Sequence, residues 1–372
     1  MKITRVETIY LRQPEVKWQC DSGQDALIVR VETDAGITGI GEVDSNPMAV
    51  KGAIDGPLSH TTACGLGQVV LGEDPLETEK IWHKMYRANI YGGRRGAGFH
   101  AMSGIDIALW DIKGKALGQP VWKLLGGGFH QRIRCYASSL FGATPEKTGE
   151  LAQRYRDQGF TAVKFGWDPM GRDEQTDIAL VREGRRGLGD GADLLIDAGL
   201  VWDSKTALQR ARAFSDYNIF WLEEPLRPDD YEGYRRLAEA TDVRIAAGEE
   251  ESGRAMFLDL MDRGRIDVVQ VDLTRCGGFT EAMKIAALAW DRGLPIANHG
   301  FTTYINVTAA LHWLNSIPNA LICEFVAEEE TNLRESITRQ KLRARDGYLD
   351  IPQEPGLGID LDEEAIRKYR VA

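Results

Sequence analysis

The stretch IFWLEEPLRPDDYEGYRRLAEATDVRIAAGEE (219–250) decides the fold. It opens on a short apolar run that ends in acid, at Glu223. An amphipathic segment over 230–241 follows, with its apolar residues at helical spacing. A second short apolar run then ends in acid again, at Glu249. Runs of this length suit strands buried on both faces, and a strand followed by a helix is the repeating unit of a parallel sheet.

The unit recurs on both sides. Toward the N-terminus stand RIRCYASS (132–139), TAVKFGW (161–167) and DLLIDAG (193–199). Toward the C-terminus stand IDVVQVD (266–272), LPIANHG (294–300) and LICEF (321–325). Helical stretches such as 145–158, 203–216 and 280–292 separate them. With 219–225 and 243–250 this makes eight strands, the number at which parallel βα units close into a TIM-type barrel. The predicted fold class is therefore α/β, with the barrel over 131–344.

The chain before it has another pattern. Residues 2–10 and 26–33 read as strands, and DAGITGIGE (34–42) as a turn and a third strand, a meander. Helices are expected over 75–90 and 99–118, and LGGG (125–128) ends the region. We assign 1–130 to an α+β head. Residues 345–372 carry turn signals and a final short helix that returns to it.

Composition narrows the function. The 372 residues are 43% hydrophobic and 27% charged, with a net charge of −11. Such an acidic surface repels nucleic acid and anionic membranes. An acidic substrate can still bind where a metal or local cations reverse the sign. Cys20, Cys64, Cys135, Cys276 and Cys323 are odd in number and none are in CxxC spacing, so we expect small buried hydrophobes in a reducing compartment. MKITRVETIY contains no apolar signal region, and no run approaches the ~18 residues of a membrane span. The expected location is the cytoplasm.

In such barrels the chemistry sits at the C-terminal ends of the strands. Reading the polar residue at each end gives Lys164, Asp197, Glu223, Glu249, Asp272, His299 and Glu324. Successive members lie 23 to 33 residues apart, about one βα unit, so one rim should gather all seven. Converging carboxylates repel one another unless a cation lies between them. Asp197, Glu223 and Glu249 offer oxygen alone, which suits Mg²⁺ before Zn²⁺. The other reading of these three acids is a ring of structural ion pairs. Asp272 and His299 end neighbouring strands, where a carboxylate on one ring nitrogen raises the basicity of the other. Lys164 faces the barrel interior by strand alternation, as does position 166. It is either a cation near substrate or the partner of a rim acid. Glu324 could orient a carboxylate oxygen or pair with a base. GLGQVV (65–70) lacks the third glycine of a dinucleotide loop, and YGGRRGAG (91–98) reads as a plain loop before a helix.

This order of residues resembles the mandelate racemase subgroup of the enolase superfamily. SGIDIALWDIKGK (103–115), WLEEP (221–225), CGGFTEAMKIAALA (276–289) and PGLGID (355–360) extend the likeness over essentially the whole chain. The resemblance implies a (β/α)7β barrel under an α+β capping domain. It implies Mg²⁺ on Asp197, Glu223 and Glu249, an acid/base pair of His299 with Asp272, and Glu324 against a substrate carboxylate. It makes the loops 14–25 and 44–56 substrate-choosing lids, with Trp18 and Lys17 as lid contacts, and points to a homo-oligomer. One departure is informative. Many members carry Lys-x-Lys on the second strand, whereas this chain reads Lys164-Phe165-Gly166. Glycine moves no proton, which disfavours two-base racemisation. The expected activity is Mg²⁺-dependent abstraction of the proton next to a carboxylate, with dehydration of an aldonate or aldarate to its 2-keto-3-deoxy acid. Cycloisomerisation of a lactone or anhydro-sugar acid is the runner-up, then racemisation or epimerisation, in which Lys164 itself moves protons. The rival of another class is a protein that only binds acid sugars.

Overall fold

A computed structural model describes residues 1–18, 22–60, 63–327 and 332–371. Three strands, β1 (Ile3–Arg12), β2 (Asp25–Thr33) and β3 (Thr38–Val43), form an antiparallel meander in that order. Strand alternation divides β2 between two cores. Leu27, Val29 and Val31 enter the head's own core, while Ala26 and Ile28 join the core shared with the barrel. The helix Ala97–Leu117 lies between sheet and barrel, so it is buried all round rather than along one stripe. Glycines let β3 lie directly on it. A Cβ at Gly39 or Gly41 would stand 2.1 Å from the carbonyl oxygen of Ala108 or Gly104. The helix's other face reaches the barrel, where Asp106 accepts hydrogen bonds from the Thr280 amide at 3.0 Å and hydroxyl at 2.6 Å.

Eight parallel strands follow. They are β4 (Arg132–Leu140), β5 (Ala162–Gly166), β6 (Asp193–Asp197), β7 (Ile219–Glu223), β8 (Ile245–Ala247), β9 (Val268–Val271), β10 (Ile296–Asn298) and β11 (Ala320–Val326). Each pairs with the next, and β11 pairs with β4, which closes the barrel as predicted. Tyr136, Leu195, Trp221, Val268 and Ile322 are among the side chains packed inside it. Two residues further on, the same face carries Ser138, Asp197, Glu223, Gln270 and Glu324. The period of two thus lifts each strand from an apolar plug to a polar rim.

The tail divides. β12 (Tyr348–Asp350) pairs antiparallel with β4 on the barrel. The helix Glu363–Tyr369 leads back to the head, where the Val371 amide donates to the Tyr10 carbonyl at 2.9 Å and Arg370 pairs with Glu7 at 2.8 Å. PGLGID docks between these parts on one buried carboxylate. Asp111 accepts from the Ile40 amide at 3.0 Å, the Leu357 amide at 2.9 Å and Lys115 Nζ at 2.7 Å. Gly356 has φ +75°, and a Cβ there would stand 2.2 Å from Asp111 Oδ1.

Two expectations change. Residues 44–56 are not all loop, because Pro47–Asp55 form a helix. Asn46 caps it, its side-chain oxygen accepting from the Ala49 amide at 3.2 Å, and Pro47 supplies a first-turn residue that needs no donor. GLGQVV, which lacks the dinucleotide-loop pattern, contains the short helix Leu66–Val70. Cys135, Cys276 and Cys323 are buried, whereas Cys64 is only partly so; Cys20 lies outside the described residues. Among the described residues no helix is long and apolar enough to cross a membrane.

Asp111→Ala leaves two buried amides without their acceptor and removes the carboxylate partner of Lys115, which keeps the Thr38 carbonyl at 3.0 Å. We expect a loss of about 3 kcal/mol of unfolding free energy, read from urea denaturation.

Candidate active site

Strand register sets the site. Gly166 is paired with Asp197 across β5 and β6, and Asp197 with Glu223 across β6 and β7. These positions therefore stand at one level of the rim. Glu249, Asp272 and His299 follow the ends of β8, β9 and β10, and Glu324 lies within β11. The structure brings together all seven residues predicted from the strand ends.

Lys164 is the centre of the carboxylate group. Its ammonium makes a very short contact with Glu223 Oε1 and lies 3.0 Å from Glu324 Oε1 and 3.9 Å from Asp197 Oδ2. The other Glu223 oxygen accepts from Trp221 Nε1 at 2.9 Å, the inward residue one layer below. Burial and the neighbouring carboxylates push Asp197 and Glu223 above the usual carboxylate range, against the pull of Lys164. Burial opposes the charge on Lys164 too, but Glu223 and Glu324 outweigh it and keep the amine protonated. Its ammonium stands among these carboxylates as their counter-charge.

Glu324 behaves differently. It accepts from Ser138 Oγ at 2.7 Å and the Gly300 amide at 2.6 Å as well as from Lys164. Burial disfavours its charge, yet Lys164 and His299 pull it down to about 2. It accepts protons' hydrogen bonds and has none to give.

On the other side of the rim, His299 Nδ1 lies 2.7 Å from Asp272 Oδ2. The second Asp272 oxygen accepts from the Thr274 amide and hydroxyl, both at 2.6 Å. Burial disfavours the charge on Asp272, but His299, then Arg275 and the Thr274 hydroxyl, hold its carboxyl below the usual range. It therefore accepts the Nδ1 proton, and Nε2 is left as the ring's reactive nitrogen. Nε2 stands 3.4 Å from Glu249 Oε1. Burial lowers the affinity of His299 for a proton, but Glu249, Asp272 and Glu324 raise it to about 10.

A cavity of about 160 Å³ joins the two halves. Lys164, Asp197, Glu249, Arg275, His299 and Glu324 line it, with Trp167 and Phe301 as aromatic wall. A larger open groove of about 680 Å³ contains the 91–95 part of the YGGRRGAG loop between head and barrel. Its lining includes His83, Asp259 and Glu281 but none of the seven strand-end residues, which gather at the smaller cavity. Trp18 is fully exposed and does not line that cavity.

Arg275 and Asp44 were not among the residues picked from the sequence, yet both stand at the rim. Arg275 follows Asp272 by three residues and pairs with Asp44 at 2.8 Å. Its place in the same strand-end loop as Asp272 was the available signal. Asp44 follows the last head strand, and nothing local marks it.

The donor set fits a hard cation. One ammonium stands among more carboxylates than it can balance, and a divalent ion relieves that repulsion. Glu249 also shares the rim with Glu224 and Glu250, whose ligand atoms lie within 4.8 Å of one another. Gly166 sits against the first of the predicted ligands, since a Cβ there would meet Asp197 Oδ2 at 2.7 Å and its Cβ at 2.8 Å. Any larger residue at this position would have to displace the Asp197 side chain. We expect Gly166→Ala to displace Asp197 and weaken divalent-cation affinity about 10-fold or more, read by calorimetric titration.

Comparison with known proteins agrees with this geometry. Residues 5–126 match the mandelate racemase / muconate lactonizing enzyme N-terminal domain, and residues 147–365 the enolase C-terminal domain-like family. The chain is 34% identical over 382 residues to a D-galactonate dehydratase of Xanthomonas oryzae pv. oryzae, covering 99% of this chain and 94% of that one. It is 33% identical over 358 residues to a D-galactarolactone cycloisomerase of Agrobacterium fabrum, covering 93% and 91%. The crystal structure of the 3,6-anhydro-D-galactonate cycloisomerase from Zobellia galactanivorans superposes over all of both chains with a TM-score of 0.90 at 32% identity. A closed barrel under an antiparallel head, acids at successive strand ends and a matching family over both parts lead to one assignment: the chain belongs to the mandelate racemase group of the enolase superfamily.

Proposed function

We propose that this chain removes the proton next to the carboxylate of a sugar acid and expels the neighbouring hydroxyl as water, giving a 2-keto-3-deoxy acid. The observation that carries the reading is the one-sided placement of the acid/base group. His299, which also lines the cavity, is held by Asp272, while Gly166 in that lining has no side chain to serve as a second base. The names of relatives support the substrate class: D-galactonate dehydratase and, in Thermoproteus tenax, a D-gluconate dehydratase that is 28% identical over 97% of this chain.

The chain's own groups divide the work. Asp272 fixes the tautomer, so His299 Nε2 accepts the α-proton. The imidazolium then returns that proton to the β-hydroxyl on the same face. The α-C–H and β-C–O bonds break, a C=C bond forms, and water leaves. The resulting enol becomes the 2-keto acid by taking a proton at the former β-carbon. Lys164, clamped by Glu223 and Glu324, opposes negative charge growing on the substrate carboxylate. Asp197, Glu223 and Glu249 would hold Mg²⁺, which when bound supplies electrophilic stabilisation of that same charge. Trp167 and Phe301 limit water on the cavity's apolar side.

Racemisation needs a base on each face. Gly166 carries no group that moves a proton, and Lys164 is engaged by Glu223 and Glu324. Cycloisomerisation is the second reading, favoured by the two cycloisomerase relatives. It uses the same first step with a ring oxygen in place of the hydroxyl.

The test is a library of aldonates and aldarates incubated with purified protein and Mg²⁺, followed by mass and 2-keto-acid analysis. Loss of one water with a new keto group is expected, and chelator should abolish it. An isomer of unchanged mass from lactones or anhydro acids would replace dehydration by the second reading. His299→Asn should lower turnover by about 10²–10⁴-fold. Full activity in that variant would remove the histidine from the chemistry.

A further inference from the structure

Strand β3 does not stop at the head. Its end reaches the barrel mouth beside the acid/base pair. Glu42, on the strand, accepts from the Asn306 amide at 3.0 Å and Thr303 Oγ1 at 2.8 Å. Asp44, two residues on, is buried and lies within a group whose other members are Asp272 and His299.

Two contacts give Asp44 a specific part. Its carboxylate takes the Arg275 guanidinium at 2.8 Å. Arg275 also lies 3.4 Å from Glu249 Oε1 and 3.9 Å from Asp272 Oδ2. A buried guanidinium is held in place by the acids around it, and here one comes from the head and two from the barrel. The Asp44 backbone amide donates to Thr274 Oγ1 at 3.1 Å. With that oxygen already accepting, the Thr274 hydroxyl proton is free to point at Asp272 Oδ1, 2.6 Å away.

The alternative arrangement is close by. Asp44 Oδ2 stands 3.9 Å from His299 Nδ1, against 2.7 Å for Asp272 Oδ2. Two carboxylates thus compete for one imidazole proton. Arg275 occupies the Asp44 carboxylate, while Thr274 fixes Asp272 in the other role. We infer that Asp44 is a positioning residue supplied by the head: through Arg275 and Thr274 it leaves Asp272 as the sole acceptor for His299 Nδ1 and so sets the direction of the reactive Nε2. The head then completes the acid/base group rather than merely covering it.

This inference rests on the proposed role of His299, and its test is separable from that role. Long-range ¹H–¹⁵N spectra of the full chain labelled with ¹⁵N-histidine report ring hydrogen bonding for the six histidines, and His299→Asn identifies the relevant signal. Asp44→Asn and Arg275→Lys are each expected to shift the His299 Nδ1 resonance. With Mg²⁺ and a turned-over sugar acid, both should lower kcat by about 10–100-fold while KM stays within about threefold. Unchanged His299 ring signals in both variants would overturn the inference. So would a fall in kcat that follows a fall in melting temperature with those signals unmoved, since that is a structural role. If the wild type turned over no sugar acid, the proposed function would fail, and the ring signals would still decide the role of Asp44.

Discussion

The structure depends on confining mutually repelling carboxylates at one end of a barrel. Lys164 stands among Asp197, Glu223 and Glu324, and Arg275 among Asp44, Glu249 and Asp272. Neither cation balances its surroundings. Left to themselves these side chains would turn out to water. They stay because β5, β6 and β7 hold them in register, and because an apolar plug below them leaves no room to retreat. On the proposed function, the rim would receive a divalent ion and oppose charge developing on a bound carboxylate without reorganisation at the moment of reaction.

Keeping such a rim requires rigidity elsewhere. The helix Ala97–Leu117 is fixed on one side by the close approach of Gly39 and Gly41 and on the other by Asp106 on Thr280. Asp111 ties the same helix to β3 and to the returning tail. The head is therefore part of the support of the rim, and the end of β3 can be placed beside His299 with the precision that a 2.8 Å ion pair demands.

Much of this was legible in the chain because the barrel repeats a local rule. Each strand is short and apolar and ends in a polar residue, and the period of two then places Lys164 and Gly166 on the same face without any tertiary information. The helix Pro47–Asp55 is also written locally, in the capping pair Asn46-Pro47. The partner of Arg275 was not legible at all. Asp44 lies 231 residues away, and only the docking of head on barrel brings the two together. The exposure of Trp18 likewise follows from the path of its segment, which no local pattern fixes. The interplay of Lys164 with Glu223 and Glu324 was foreseen only as an alternative to substrate binding, because register across non-adjacent strands decides it.

The claim on which the account rests is that the rim carboxylates form a cation site. Calorimetric titration of the purified chain with Mg²⁺ tests it without reference to any substrate. The account predicts saturable binding of a single ion per chain, lost in Asp197→Asn. Absence of binding to the wild type, or equal binding by the variant, would contradict it.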